Sequence, residues 1–347
     1  MIFLKRWNHI LFRSKNRLDC AWSCVKHFGY GQYRRMLDNN PMPTPIQQDR
    51  AELDYFIVDV FTKTALAGNP LAVVMNTVNL SSERMQAIAR EFNLSETTFI
   101  ERRAADVEQR EGVRVRIFTT QEELPFAGHP TLGTASVLRM RVPETLVQNT
   151  VTLALKVGAV PVRFDDDGLF GEMTQRDPEF GAELDAHEVA RLCGLSADDL
   201  DPSLPPQVVS TGTPFAIVAL RSVQALMRLS VSQQEATEWL RTRGARWFYV
   251  VAPTGEHDPA WRARMQFNGG EDPATGSAAG CAISYLVQRG AVASGKRVHL
   301  RQGVEMGRPS ELYLSARLHA QLESAGVHDV RVGGSTVLVA EGKLWAV

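Results

Sequence analysis

Gly128-His129 and Gly276-Ser277 each follow a strand-like run and open a helical one. A helix start carries unpaired N–H groups and the positive end of the dipole, and glycine lets a ligand approach the backbone. Two such starts facing one cleft would hold a carboxylate or stabilise an enolate-like oxygen. His129 and Asp272 stand beside them. The histidine has the chemistry of a general acid or of a ligand for a substrate carboxylate. The aspartate has that of a partner orienting His129, or of a group binding a substrate amine. Each residue also has a structural alternative: packing glycines, a core histidine, an aspartate capping the next helix. It is the recurrence of the pair that favours a site. Glu96 follows a helix end, in Leu94-Ser95-Glu96-Thr97-Thr98-Phe99. Its small and apolar neighbours would desolvate the carboxyl and raise its pKa toward the range of an acid/base. A solvated loop glutamate fits the same residues.

The elements that must position these groups come in two copies. Residues 114–128, RVRIFTTQEELPFAG, align without a gap on residues 262–276, RARMQFNGGEDPATG, 148 positions later. Arg114 matches Arg262, Arg116 matches Arg264, Glu123 matches Glu271, Pro125 matches Pro273 and Gly128 matches Gly276. Upstream, Gly68-Asn69-Pro70-Leu71-Ala72-Val73-Val74 matches Gly212-Thr213-Pro214-Phe215-Ala216-Ile217-Val218 at a spacing of 144. A period this long excludes a solenoid and predicts two domains of one fold related by a pseudo-twofold axis, with the ligand between them. Strands are expected over 55–61, 71–75, 97–101 and 113–118, with a helix through Arg84–Phe92 capped by Ser81 or Ser82 and another from Gly128 to about Met140. The second half repeats the plan, ending in separate strands over 330–332 and 337–340. The segments are short and strands outnumber helices, so the class is α+β. The domains are expected over 53–172 and 173–335, with a final strand, 336–347, returning to the first.

Composition is that of a globular protein, 44% hydrophobic and 22% charged with a net charge of −1, which gives no nucleic-acid surface. No run reaches the ~20 apolar residues of a membrane helix. Charge is uneven, however: residues 1–50 carry +6 and the remainder −7. Those fifty residues lie outside the repeat, lack an apolar period and end in Asn39-Asn40-Pro41-Met42-Pro43-Thr44-Pro45. They read as an extension outside the fold, either from a start placed upstream of a true one at Met42 or as a basic targeting segment. Cys20, Cys24, Cys193 and Cys281 form no disulfide framework, consistent with a reducing cytoplasm. The body has no metal-ligand spacing, no Gly-x-Gly-x-x-Gly after a strand and no Gly-x-Ser-x-Gly.

Six ordered motifs between Tyr55 and the C-terminus carry a family resemblance: DVFT…AGNPLAVV, MQAIAREFNLSETTF, RIFT…ELPFAGHPT, STGTP, EDPATGSA and QGVEMGRPS. They resemble the PhzF-like isomerases of phenazine biosynthesis, within the diaminopimelate epimerase superfamily. The resemblance implies two similar α+β domains, each a curled mixed sheet around a central helix, with the active site between them. It implies a cytoplasmic isomerase that shifts a proton in a small carboxylate without metal or organic cofactor. Glu96 would then be the acid/base, with His129 and Asp272 as its catalytic companions. Gly128, Gly276, Ser277, Thr275 and Asn69 would bind substrate. The expected partners are a small-molecule carboxylate and, as a homodimer, a second copy of the chain; nucleic acid and membrane are not expected. Cysteine-dependent epimerases of the superfamily place a Cys before each of the two glycines, where this chain has Ala127 and Thr275. That counts against an amino-acid racemase. A metabolite- or partner-binding protein without turnover is the alternative from another class.

Overall fold

The structure is a computed structural model that describes residues 51–258, 260–267, 270–319 and 326–346. The expected extension, residues 1–50, lies outside the described residues. Residues 52–346 hold together as one unit. In the first half the order is β1 (Ala51–Val60), β2 (Asn69–Val74), α1 (Ser82–Phe92), β3 (Glu96–Glu101), α2 (Ala105–Glu111), β4 (Val113–Thr119), β5 (Glu123–Leu124), α3 (Gly128–Arg141), β6 (Thr150–Leu155), β7 (Gly158–Phe164) and β8 (Phe170–Thr174). The second half runs β9 (Glu179–Glu183), α4 (Ala186–Leu192), β10 (Gln207–Ser210), β11 (Pro214–Ala219), α5 (Val223–Met227), α6 (Gln233–Arg241), β12 (Trp247–Pro253), β13 (Trp261–Arg264), β14 (Gln266–Phe267), β15 (Gly270–Glu271), α7 (Gly276–Gln288), β16 (Val298–Gln302), β17 (Ser310–Leu318) and β18 (Val327–Ala346).

The strand pairings repeat as the sequence does. Parallel pairs β2–β3 and β4–β6 in the first half correspond to β11–β12 and β13–β16 in the second. The antiparallel pairs β1–β2, β3–β4 and β6–β7 correspond to β10–β11, β12–β13 and β16–β17. Even the ion pairs recur. Arg116 grips Glu123 through two bonds of 2.8 Å, and its counterpart Arg264 grips Glu271 at 2.9 and 2.6 Å. One sheet passes through both halves, with β18 pairing β8 on one side and β17 on the other and also meeting β1, which closes the first half on itself.

Each half wraps a central helix buried on nearly every side, although α3 carries the polar His129, Thr131, Thr134 and Ser136 among its buried residues. In α3 every residue from Gly128 to Leu138 is buried, and in α7 only Ser277 and the last residue escape full burial. Helix α1 lies outside and buries only Met85, Ile88 and Ala89; Phe92 is half-buried against Tyr55. Among the described residues no helix is long and apolar enough to cross a membrane.

One local expectation changes, and one helix is unforeseen. The strands expected at 330–332 and 337–340 are one strand, β18. Gly333 and Gly334 continue the ladder between them, Gly333 pairing with Glu172 and Gly334 with Gly171. A Cβ on Gly334 would come within 2.4 Å of the Phe61 ring, so glycine there makes room for a core aromatic. Helix α2 carried no apolar stripe to announce it. Its one buried residue is Glu108, which accepts hydrogen bonds from Arg102 and from the Arg103 backbone.

Candidate active site

Glu96 is the first residue of β3. Helix α1 ends at Asn93, which takes the left-handed conformation (φ 51°) that asparagine tolerates, and the chain turns through Leu94 and Ser95 into the strand. Pairing with Leu71 on one side and Thr119 on the other then fixes the Glu96 backbone in mid-sheet. Its side chain is 16% exposed, and Oε2 lies 3.4 Å from His129 Nε2. Neither atom makes a hydrogen bond. Burial, seconded by the charge of Asp272, raises the Glu96 pKa to about 8. Burial drives His129 down to about 3, against a hydrogen bond to the Pro70 carbonyl, so the ring is neutral.

Asp272 ends the short β14–β15 hairpin. Thr275 Oγ1 donates to its Oδ2 at 2.6 Å and Asn69 Nδ2 to its Oδ1 at 2.9 Å. Burial still lifts its pKa to about 6, although these bonds pull the other way. Gln302 is the hub behind it. Its Nε2 donates to the Asp272 carbonyl and to Thr275 Oγ1, while its Oε1 accepts from the Tyr249 hydroxyl and the Thr275 backbone N–H. Asn69 is held in turn by Arg308, which donates to the Gly68 and Ala67 carbonyls and to Asp59 Oδ1. Gly68 has φ +67° there, and a Cβ would sit 2.4 Å from the Val60 carbonyl oxygen. Sequence reasoning singled out neither Gln302 nor Arg308, although both lie in the QGVEMGRPS run. Their signal was polar and charged residues set among turn glycines.

A cavity of about 730 Å³ opens beside these groups. Glu96, Leu124 and Phe126 line it from the first half, and Phe215, Trp247, Asp272, Thr275 and Ser277 from the second. His129, Asn69, Gly128 and Gly276 are not on its wall; His129 is 4% exposed and Asn69 fully buried. Asp272 does not orient His129 directly, because Asn69 stands between them, 3.1 Å from His129 Nδ1. The two glycines face each other. A Cβ on Gly128 would come within 2.6 Å of the Ser277 backbone nitrogen and 2.8 Å of the Gly276 Cα. Close approach of helix to helix, rather than of ligand to backbone, is what requires glycine at Gly128. The positions before them, Ala127 and Thr275, carry no thiol. Cys281 is buried within α7 with its pKa pushed up to about 11 by burial, so no thiolate is available there.

The fold and the catalytic class can now be stated together: this is an isomerase on the α+β fold shared with proline racemase-like and diaminopimelate epimerase-like proteins. The chain belongs to the PhzC-PhzF family, the phenazine biosynthesis-like proteins, matching it over residues 58–342. It is 35% identical over 299 residues to the trans-2,3-dihydro-3-hydroxyanthranilate isomerase of Pseudomonas aeruginosa, covering 84% of this chain and 99% of that one. A Bacillus anthracis phenazine biosynthesis protein of the PhzF family superposes with a TM-score of 0.74 at 25% identity, over 85% of this chain and 99% of that one. A hydroxyproline epimerase from Agrobacterium vitis, 12% identical, shares the fold with a TM-score of 0.54, over 84% and 92% of the two chains.

Proposed function

We propose that this isomerase moves a proton within a small carboxylate substrate held in the cavity between its two halves, with Glu96 as the carrier. The observation that bears the most weight is the Glu96 carboxyl itself. It stands on the cavity wall with one oxygen buried and unbonded, and its pKa is raised to about 8. Such a group exchanges a proton with carbon near neutral pH, which a carboxylate of ordinary pKa does poorly. As the carboxylate it takes a proton from one carbon; the electron pair shifts along the conjugated system, and the same proton is returned at another carbon. Nothing is oxidised or reduced overall, and no metal or organic cofactor enters the step. Asp272, across the cavity, and the Ser277 hydroxyl meet the polar groups of the substrate. Helix α7 has no side-chain cap and meets the cavity wall at Ser277, so the open N–H groups of its first turn are the ones offered to the carboxylate.

The named relative supplies the first probe, trans-2,3-dihydro-3-hydroxyanthranilate. In deuterated water the product should gain deuterium at the carbon that receives the proton, to the extent that Glu96 exchanges with solvent. Glu96→Gln keeps the shape and removes the base, and turnover should fall by ~100 to 10,000-fold. Turnover within a few-fold of wild type would remove Glu96 from the role. If the wild-type protein leaves the probe untouched, other cyclic and linear hydroxy and amino acids take its place under the same comparison.

A further inference from the structure

The doubled architecture gives Glu96 a counterpart. Leu71 matches Phe215 in the repeated block, and Leu71 pairs with Glu96 where Phe215 pairs with Trp247. The next strand gives the same answer. Arg116 pairs with Phe99 and its match Arg264 with Val250, and those two partners lie three residues beyond Glu96 and Trp247. Trp247 therefore opens β12 as Glu96 opens β3, and both stand on the wall of the same cavity. One half presents a carboxyl group at this position. The other presents an indole, which is neither an acid nor a base near neutral pH.

The indole is set apart from the core around it. Phe248 and Tyr249, which follow it in β12, are buried, whereas Trp247 is half-buried. Its ring is held by three neighbours. Phe267 meets it in a T-shaped contact with centroids 5.5 Å apart, and Phe215 in a tilted one at 6.0 Å. The Arg246 guanidinium lies over the ring, 4.3 Å from its centroid, and is tied to Glu122 at 3.0 Å. A ring already held in place loses little freedom when a second flat group packs on it.

We propose that Trp247 is a specificity-determining residue: its indole is a fixed platform for the flat, unsaturated part of the substrate, and it selects planar carboxylates over saturated ones of the same size and charge. This rests on the reading of the cavity as the substrate site. Glu96 addresses the conjugated system from one half while Trp247 supports it from the other. A flat group on an indole brings more atoms into van der Waals range than a puckered ring of the same composition, and the π systems add to that. The guanidinium beside the platform favours the negative charge that spreads over the conjugated system once the proton has left.

The test is isothermal titration calorimetry of the full chain with two probes that differ only in planarity, 3-hydroxybenzoate and 3-hydroxycyclohexanecarboxylate. Wild type should bind the flat acid roughly 3- to 10-fold more tightly, the range that aromatic packing contributes. Trp247→Leu keeps an apolar side chain and removes the π face, so it should bring the two affinities within about 2-fold of each other. Trp247→Phe restores a face and should recover most of the preference. Equal affinities in wild type, or binding of neither acid, would overturn the proposal with no substitution made. So would a folded Trp247→Leu variant in which the preference persists, since a residue that only fills the wall acts on both acids alike. Melting temperatures of the variants report packing separately. Retained turnover in Glu96→Gln would defeat the proton-carrier reading and leave the preference for flat acids standing.

Discussion

A carboxyl group kept out of water costs stability when it ionises, and Glu96 makes that cost measurable without a substrate. Its pKa is raised from 4.5 to about 8, chiefly by burial. Between those values the folded chain binds the proton more tightly than the unfolded one does. The stability it contributes is therefore fully present below pH 4.5 and is lost as pH rises through 8. Glutamine carries no such titration. Glu96→Gln should match wild type in melting temperature near pH 4.5 and exceed it progressively up to pH 9. A constant difference across that range would mean that Glu96 is solvated in solution. The neighbouring His129 moves the other way: its pKa is lowered from 6.5 to about 3, so stability rises with pH between those values and levels off above 6.5, a contribution that wild type and Glu96→Gln share and that cancels in their comparison.

At the scale of elements, two central helices meet start to start, and the meeting depends on a missing methyl group. Gly128 packs against the backbone of Gly276 and Ser277, which cannot rotate away as a side chain could. Gly128→Ala forces the helix starts apart, and overpacking of this kind costs about 1–3 kcal/mol. Gly276→Ala should cost less. Its Cβ would meet the Phe61 ring at 3.1 Å and the Gly128 Cα at 3.3 Å, distances that small shifts relieve. Urea unfolding of the two variants gives the ranking directly. Equal midpoints would show that the helix starts stand further apart than described. Because Ser277 lies at the contact and on the cavity wall, the Gly128 variant should also weaken any ligand held there.

For the whole molecule, the two halves share one sheet and one core. A single cluster of buried side chains runs from Phe56, Val58 and Val60 through Leu132 and Leu138 of α3 to Ile283 and Leu286 of α7 and Val330 and Val332 of β18. Strand β18 completes the first sheet and continues the second. Neither half can lose its packing without exposing the other, so heating should give one transition with equal calorimetric and van't Hoff enthalpies. Two resolved transitions would mean that the halves are independent domains joined only by chain. The ion pair between Glu122 and Arg246, 3.0 Å long and exposed at both ends, links residues of the two halves on the cavity wall. A solvated pair of this kind adds little stability.

Much of this protein was legible in its residues. The period of apolar positions marked most strands and helices, Ser81 marked the start of α1, and Gly128 and Gly276 marked the starts of α3 and α7. The doubled blocks foretold the doubled pairings, down to matched arginine–glutamate pairs. These signals are local: they depend on neighbours a few positions away, which the chain order itself supplies. Other features have no local signal. Whether Glu96 is wet or dry depends on α3 and on Asp272, 176 positions further along the chain. Asn69 looked like a substrate contact because it lies in a motif; only the fold buries it and brings His129 and Asp272 to its one nitrogen. Gln302 was silent for the same reason, since its four bonds reach Tyr249, Asp272 and Thr275 across the second half. The strands expected apart at 330–332 and 337–340 are one, because Gly333 and Gly334 make room for the rings of Phe170 and Phe61, which come from other parts of the chain. Sequence determined which groups are present and which elements carry them. Desolvation and shared hydrogen bonds, which set their protonation, arise only when distant segments exclude water together, and those were decided by the tertiary structure.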